Sequence, residues 1–229
     1  MAKTAKASRT PRRATPRARP TAPDRETEAR ILDAARAVFM RRGTSGARMQ
    51  EIAREAGVNQ ALLHYYFRSK ERLSVAVFQQ LASRLFPALM ATLGSDASID
   101  AKIDTVIALY LDNFSRNPFL PGYVLSELHH HPERVPHMIA SATGIDPSTM
   151  LAAVFSRLGH QIDERVRAGT MRSISPQQFA ANLISLCVFP FAARPMLSLA
   201  FSMDEAGFAA FIEERKRELP QFFKQAIKP

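Results

Sequence analysis

The sequence predicts an all-α protein, with a small N-terminal unit built around a helix-turn-helix and a larger C-terminal helical unit. Three observations carry that expectation. Apolar residues recur at 3.6-residue spacing along most of the chain, the sustained apolar/polar alternation of a strand is missing, and Gly, Pro, Ser, Asn and Asp punctuate the apolar stretches at helix-length intervals.

The elements follow in order. From Asp24, the residues Ile31, Leu32, Ala35, Val38 and Phe39 mark a first helix, and Gly43 supplies its stop. "RMQEIAREAG" then predicts a short helix with Ile52, Ala53 and Ala56 inward, ended by Gly57. Asn59 can cap a third helix from Gln60 to about Tyr66 by accepting from the amide of Ala61 or Leu62. Ser69 caps a long fourth helix through Leu73, Val77, Leu81 and Leu85, with a kink expected at Pro87 and an end at Gly94. Ser98 opens a helix through Ile103, Val106, Ile107, Tyr110 and Phe114, and Pro118 marks the next boundary. Helices follow at about Leu120 to His130 and Pro147 to Ala168. A further one starts at Ser175, where Ser-Pro-Gln-Gln is a capping-box pattern. A terminal helix from Asp204 carries Phe208, Phe211 and Ile212 on one face.

The 229 residues carry a formal net charge of +10, which favours a polyanionic partner. Its distribution is uneven. Seven of the 31 basic residues and no acidic ones fall within Met1 to Pro23, so 24 basic groups face 21 acidic ones in the rest. Residues 1–23 read as a disordered, Pro-punctuated basic arm, since the prolines prevent the amphipathic helix of a transit peptide. The single cysteine, Cys187, excludes an intrachain disulfide framework and fits a reducing cytoplasmic setting. The longest uncharged run, Ser173 to Ala193, is broken by Asn182 and Pro190 and closed by Arg194, which suits a helix buried in a core or interface better than a membrane span. No GxGxxG, P-loop, GxSxG or paired-cysteine motif is present, so the chain is read as a non-enzyme without a cofactor.

Arg48 to Tyr66 has the length of a helix-turn-helix. In its second helix Leu62, Leu63, Tyr66 and Phe67 are expected inward, while Gln60, Ala61, His64 and Arg68 share the other face with Tyr65 at its edge. That face offers an amide for adenine, a methyl for thymine and ring donors for phosphates or base edges in a major groove. Lys70 adds a phosphate contact beside exposed helix N-terminal amides.

Arg30 to Leu73, about a fifth of the chain, resembles the TetR family of bacterial transcriptional repressors through "ILDAARAVFMRRG", "EIAREAGVNQALLHYYF" and "SKERL". The resemblance implies a homodimer that binds a palindromic operator through residues 24–69. It also implies a helical domain, residues 70–229, that binds a small effector and pairs through its last two helices. Carried over by position, Gln50, Gln60, Ala61, His64 and Tyr65 face DNA, and Tyr66 and Lys70 face phosphates; Asn59, the cap of the third helix, is counted with these DNA-binding residues. Arg48 and Met49 stand where Thr or Ser commonly caps the second helix. Arg48 can contact phosphate by charge instead, and His64 replaces a frequent Tyr.

Phe86, Met90, Tyr110, Phe114, Tyr123 and Phe155 are expected around an apolar or aromatic effector, with Glu127 as a cation partner. In "ELHHHPERVPH", Glu127, His130 and His131 also allow a metal-responsive reading, and the basic arm allows that of a nonspecific architectural DNA-binding protein. The uncharged helix after Ser175 and the Phe208 to Ile212 face are expected to bury each other at the dimer interface, with Arg194 partnered or at its rim.

Overall fold

A computed structural model describes residues 22–130, 132, 136, 137, 139, 140, 144 and 146–229, without the side chains of Ala22, Glu127 and His130. The basic arm up to residue 21 and His131 lie outside the described residues. Ten helices and no strands are defined among those described: α1 Ala22–Gly46, α2 Met49–Glu55, α3 Gln60–Phe67, α4 Lys70–Gly94, α5 Ile99–Arg116, α6 Leu120–His130, α7 Pro147–Arg167, α8 Pro176–Ala192, α9 Arg194–Ala200 and α10 Glu205–Ala226.

The N-terminal helices close on a small core of Ile31, Ala35, Val38, Phe39, Ile52, Leu63 and Phe67. Burying each of the Ile, Val, Leu and Phe side chains among these stabilises by about 1.5–3 kcal/mol. Gly43 breaks the helical path of α1 at φ 68°, ψ 169°, a left-handed φ that glycine adopts without steric penalty. Gly57, at φ 65°, makes the turn between α2 and α3. Asn59 caps α3 by accepting from the Leu62 amide at 2.7 Å. Arg41 clamps α1 to α2 through two bonds to the Glu55 carboxylate, at 2.9 and 3.3 Å.

α4 links this unit to the rest. It packs against α1 and α3 on one side and α5 and α7 on the other, and its Leu73, Val77, Phe78, Leu81, Leu85 and Leu89 are buried. Its length and apolarity match a membrane span by composition alone, and those apolar residues serve the core. The helix continues through Pro87 to Gly94.

α10 runs antiparallel to α5, because Lys216 pairs with Asp112 at 2.7 Å while Lys224 pairs with Asp104 at 2.6 Å. Between them, edge-to-face ring pairs join Phe114 to Phe191 (5.4 Å), Phe191 to Phe208 (5.8 Å) and Phe179 to Phe223 (5.2 Å). Lys102 of α5 is fully buried and ties three helices together: its ammonium donates to the Leu93 carbonyl at 2.6 Å and to Gln161 Oε1 at 2.7 Å.

Several expectations need correction. Leu62 is exposed rather than inward, because eight residues of α3 expose one side fully and only Leu63 and Phe67 are buried. Phe208 and Ile212 are buried within the chain among α5 and α8 residues, so these two side chains are not free for a partner subunit, whereas Phe211 stays half-buried at the surface. Arg194, which closes the uncharged run, begins α9, bent 70° from α8, and lies 3.9 Å from the Glu205 carboxylate. Its guanidinium sits 4.6 Å from the centre of the Phe208 ring, a contact that keeps a cation beside an apolar core.

Candidate nucleic-acid interface and ligand cavity

α3 presents one continuous exposed face. Gln60, Ala61, His64 and Tyr65 all lie on it, with Tyr65 67% exposed, while Leu63 and Phe67 anchor the opposite side. The Asn59 cap is itself exposed and fixes where this face begins. His64 Nδ1 lies 3.1 Å from the Arg68 carbonyl oxygen. A carbonyl only accepts, so Nδ1 carries a proton and donates; in the neutral ring Nε2 is then the acceptor. Arg68 adopts φ 55°, which ends α3 just before the Ser69 cap of α4.

Two residues read as phosphate contacts have partners within the chain. The Tyr66 hydroxyl donates to Asp24 Oδ1 at 3.1 Å, and Lys70 Nζ donates to the Ser45 carbonyl at 2.9 Å. Partial burial and the Asp24 carboxylate push the Tyr66 phenol above its ordinary value. A phosphate oxygen can take the place of either acceptor, since both donors sit on exposed or half-buried side chains at the edge of the α3 face.

Arg48 and Gln50, at the start of α2, are also exposed, and Arg48 makes no side-chain cap. They share a surface groove with Arg42, Glu51 and Arg54. Arg42 and Arg54 were not singled out from the sequence. Arg42, in the helical turn just before the Gly43 break, reaches the groove and pairs with Glu51 at 3.6 Å.

In the C-terminal helices, a cavity of about 420 Å³ lies among α4, α5, α6 and α8. Phe86, Tyr110 and Phe114, three of the residues expected around an effector, line it. Met90 and Phe155 line a smaller adjoining space of about 70 Å³, which Tyr110 also borders. Tyr123 belongs to neither. It is buried with its ring 6.0 Å from Phe78 and its hydroxyl 3.5 Å from Ser74 Oγ, facing a cleft that holds Thr44, Ser45 and Lys70. The Glu127 and His130 side chains and all of His131 lie outside the described residues, so the cation-partner and metal expectations have no geometry here. Among the described residues no group of three or more His, Cys, Asp or Glu is placed to hold a metal ion.

One segment joins the cavity to the N-terminal unit. Leu120 lines the cavity wall, while its neighbour Phe119 places its ring 5.9 Å from that of Phe39 in the core of α1.

The chain is similar to known proteins, most of all along its helix-turn-helix. Residues 31–77 match the family model for bacterial regulatory proteins of the tetR family. The chain is 35% identical over 98 residues to the HTH-type transcriptional regulator BetI of Rhizobium meliloti, covering 43% of this chain and 47% of that protein. It is 38% identical over 87 residues to the HTH-type transcriptional regulator SrpR of Pseudomonas putida, covering 38% and 39% of the two chains. An uncharacterised HTH-type transcriptional regulator of Pseudomonas putida, TtgW, is 38% identical over 96 residues, or 42% of this chain and 69% of that one. The matched stretch thus spans less than half the length of BetI and SrpR.

Among solved structures, a TetR-family regulator from Rhodococcus sp. superposes with a TM-score of 0.58 at 18% identity, covering 88% of this chain and 98% of that one. The transcriptional regulator FadR of Bacillus subtilis, solved with stearoyl-CoA, gives 0.57 at 15% identity and 87% and 98% coverage. At these identities the likeness is one of fold.

Proposed function

The chain belongs to the TetR family of DNA-binding transcription regulators, and from that premise we propose that it is a cytoplasmic repressor that binds a palindromic operator as a homodimer and is released by a small apolar effector. The observation that carries this reading is the adjacency of Leu120, in the cavity wall, and Phe119, against Phe39 of α1. A ligand that pushes on α6 at Leu120 has a packed route to the helix supporting α3.

Residues 24–69 form the DNA-binding domain in this reading, and residues 70–229 the effector and dimerisation domain. Gln60, Ala61, His64 and Tyr65 enter a major groove, with Gln50 beside them. Arg48, Tyr66 and Lys70 contact phosphates, and Arg42 and Arg54 add charge to the same face. Two α3 helices about 34 Å apart, or a small multiple of that, read two half-sites of a palindrome. Effector binding releases DNA by favouring a state in which that spacing no longer matches. α4, which touches both units, is the lever.

The partner subunit docks on the outward side of α8 and α10. A groove of about 360 Å³ there is lined by Leu186, Phe211, Leu219 and Phe222, with Glu214, Arg215 and Glu218 around it. Phe222 is 62% exposed in the single chain, an apolar side chain that a second copy would cover. FadR is described with stearoyl-CoA, a ligand with a long apolar chain, which agrees with an apolar effector here.

The test is selection of bound duplexes from a random DNA pool by the full-length protein at physiological salt. An enriched two-fold-symmetric motif supports the dimeric repressor. Binding without a motif moves the weight to the basic arm and an architectural role.

A further inference from the structure

The larger cavity and the space behind it share a property that their position does not require: among the described residues, no charged side chain lines either one. Ser185 and Tyr110 supply the polar side chains of the larger wall, and Tyr110 that of the smaller. Tyr110 and Ile184 line both, so these two side chains form the partition between about 420 and about 70 Å³. Leu125, Leu128 and Phe189 line the larger cavity where it meets solvent, at 46%, 45% and 54% exposure, so its rim is apolar as well.

A carboxylate or ammonium entering such a space loses hydration that none of the described wall residues replaces. A single oxygen fares differently. Burial pushes the Tyr110 phenol up to about 12, so its hydroxyl stays protonated at neutral pH, and no hydrogen bond contributes to that shift. The hydroxyl is therefore a donor available at the partition, in a setting where a neutral acceptor gains most from meeting it.

Resting on the ligand-released reading above, we propose that the effector is an uncharged, largely hydrocarbon molecule with one hydrogen-bonding oxygen, of the alcohol, ketone or ester class. Its oxygen meets Tyr110 Oη, and its apolar body fills the space between Phe86, Phe114 and the Leu125, Leu128 and Phe189 rim. Anionic and cationic chains of the same length are excluded by the wall, not by size.

The experiment uses the full-length protein and displacement of the uncharged fluorophore N-phenylnaphthylamine by four matched probes: decanol, decane, decanoate and decyltrimethylammonium. Decanol should displace it at concentrations at least about tenfold lower than either charged probe. Tyr110→Phe should weaken decanol by about three- to tenfold, the range of one hydrogen bond, and leave decane unchanged. A charged probe binding as tightly as decanol, equal decanol binding by wild type and Tyr110→Phe, or no displacement by any probe would each overturn the proposal. Release from the operator, followed by fluorescence anisotropy on the same samples, separates the two readings. Decanol binding without release supports the cavity chemistry and sinks the ligand-release reading. Release by a charged probe that displaces no fluorophore keeps ligand release and sinks the cavity chemistry.

Discussion

Phe119, in the turn before α6, rests its ring 5.9 Å from that of Phe39, which is fully buried in the core of α1. Because Leu120 follows directly and lines the cavity, two consecutive side chains touch the two halves of the molecule. Core packing is dense and transmits small displacements, so in the ligand-released reading proposed above a shift of α6 would reach the helix-turn-helix through this ring pair and through α4.

Phe119→Leu should therefore retain operator binding while reducing release by a cavity ligand. The change keeps an apolar side chain but removes the ring contact, with an expected stability loss of about 1 kcal/mol. Anisotropy titrations of a labelled operator, with and without ligand, read both quantities. Release identical to wild type at matched ligand occupancy would show that coupling runs elsewhere.

Asn59 separates helix integrity from DNA charge. Asn59→Ala removes the acceptor for the Leu62 amide and should lower stability by about 1 kcal/mol. Asn59→Asp keeps a good cap but sets a carboxylate on the face proposed to meet DNA. Its melting temperature should stay near wild type while operator affinity falls and the salt dependence changes. Unchanged affinity in the aspartate variant would remove Asn59 from the DNA-facing surface.

Much of the fold was legible because it is written in local signals. Asn59, Ser69, Ser98, Ser175 and Asp204 each accept a bond from an amide three residues on, as capping chemistry dictates. What failed depended on long-range packing. Helical spacing placed Phe208 and Ile212 on one face of α10 but could not say that α5 and α8 would cover that face and leave Phe222 outward. Leu62 lies at the seam of a two-turn helix, where a shift of one position changes which side is buried. The cavity was legible as a set of aromatic residues, but its sides were not. Tyr123 shares the helical spacing of a lining residue and points to the Ser74 cleft instead.

Lys102 carries a prediction about pH. Burial holds its folded-state value below the ordinary 10.5, and no charged neighbour contributes to the shift. Between the lowered value and 10.5 the unfolded chain binds more protons than the folded one, so stability contributed at this site rises as pH increases through that window. Lys102→Met lacks the titration, although it leaves the Leu93 carbonyl and Gln161 Oε1 short of a donor, at about 1–3 kcal/mol. Urea unfolding midpoints should thus show wild type gaining on Lys102→Met as pH is raised. A constant difference across the range would contradict the lowered value.

His64 gives the most specific expectation for the operator. Its Nδ1 proton is held by the Arg68 carbonyl at 3.1 Å, so Nε2 offers a lone pair on the exposed face of α3. In a major groove the base groups that donate to such an acceptor are the amino groups of adenine and cytosine, whereas guanine presents acceptors there. One position in each half-site should therefore favour an adenine or cytosine amino group, with about 1 kcal/mol separating it from a guanine at the same place. Binding measured on operators changed one base pair at a time reads this directly. In His64→Ala that position should lose its preference while the others keep theirs, and Gln60→Ala should relax a different position. A preference for guanine at the His64 position would mean that Nε2 carries a proton in the complex, either in the other neutral tautomer with the Arg68 bond given up or in the doubly protonated ring with that bond kept.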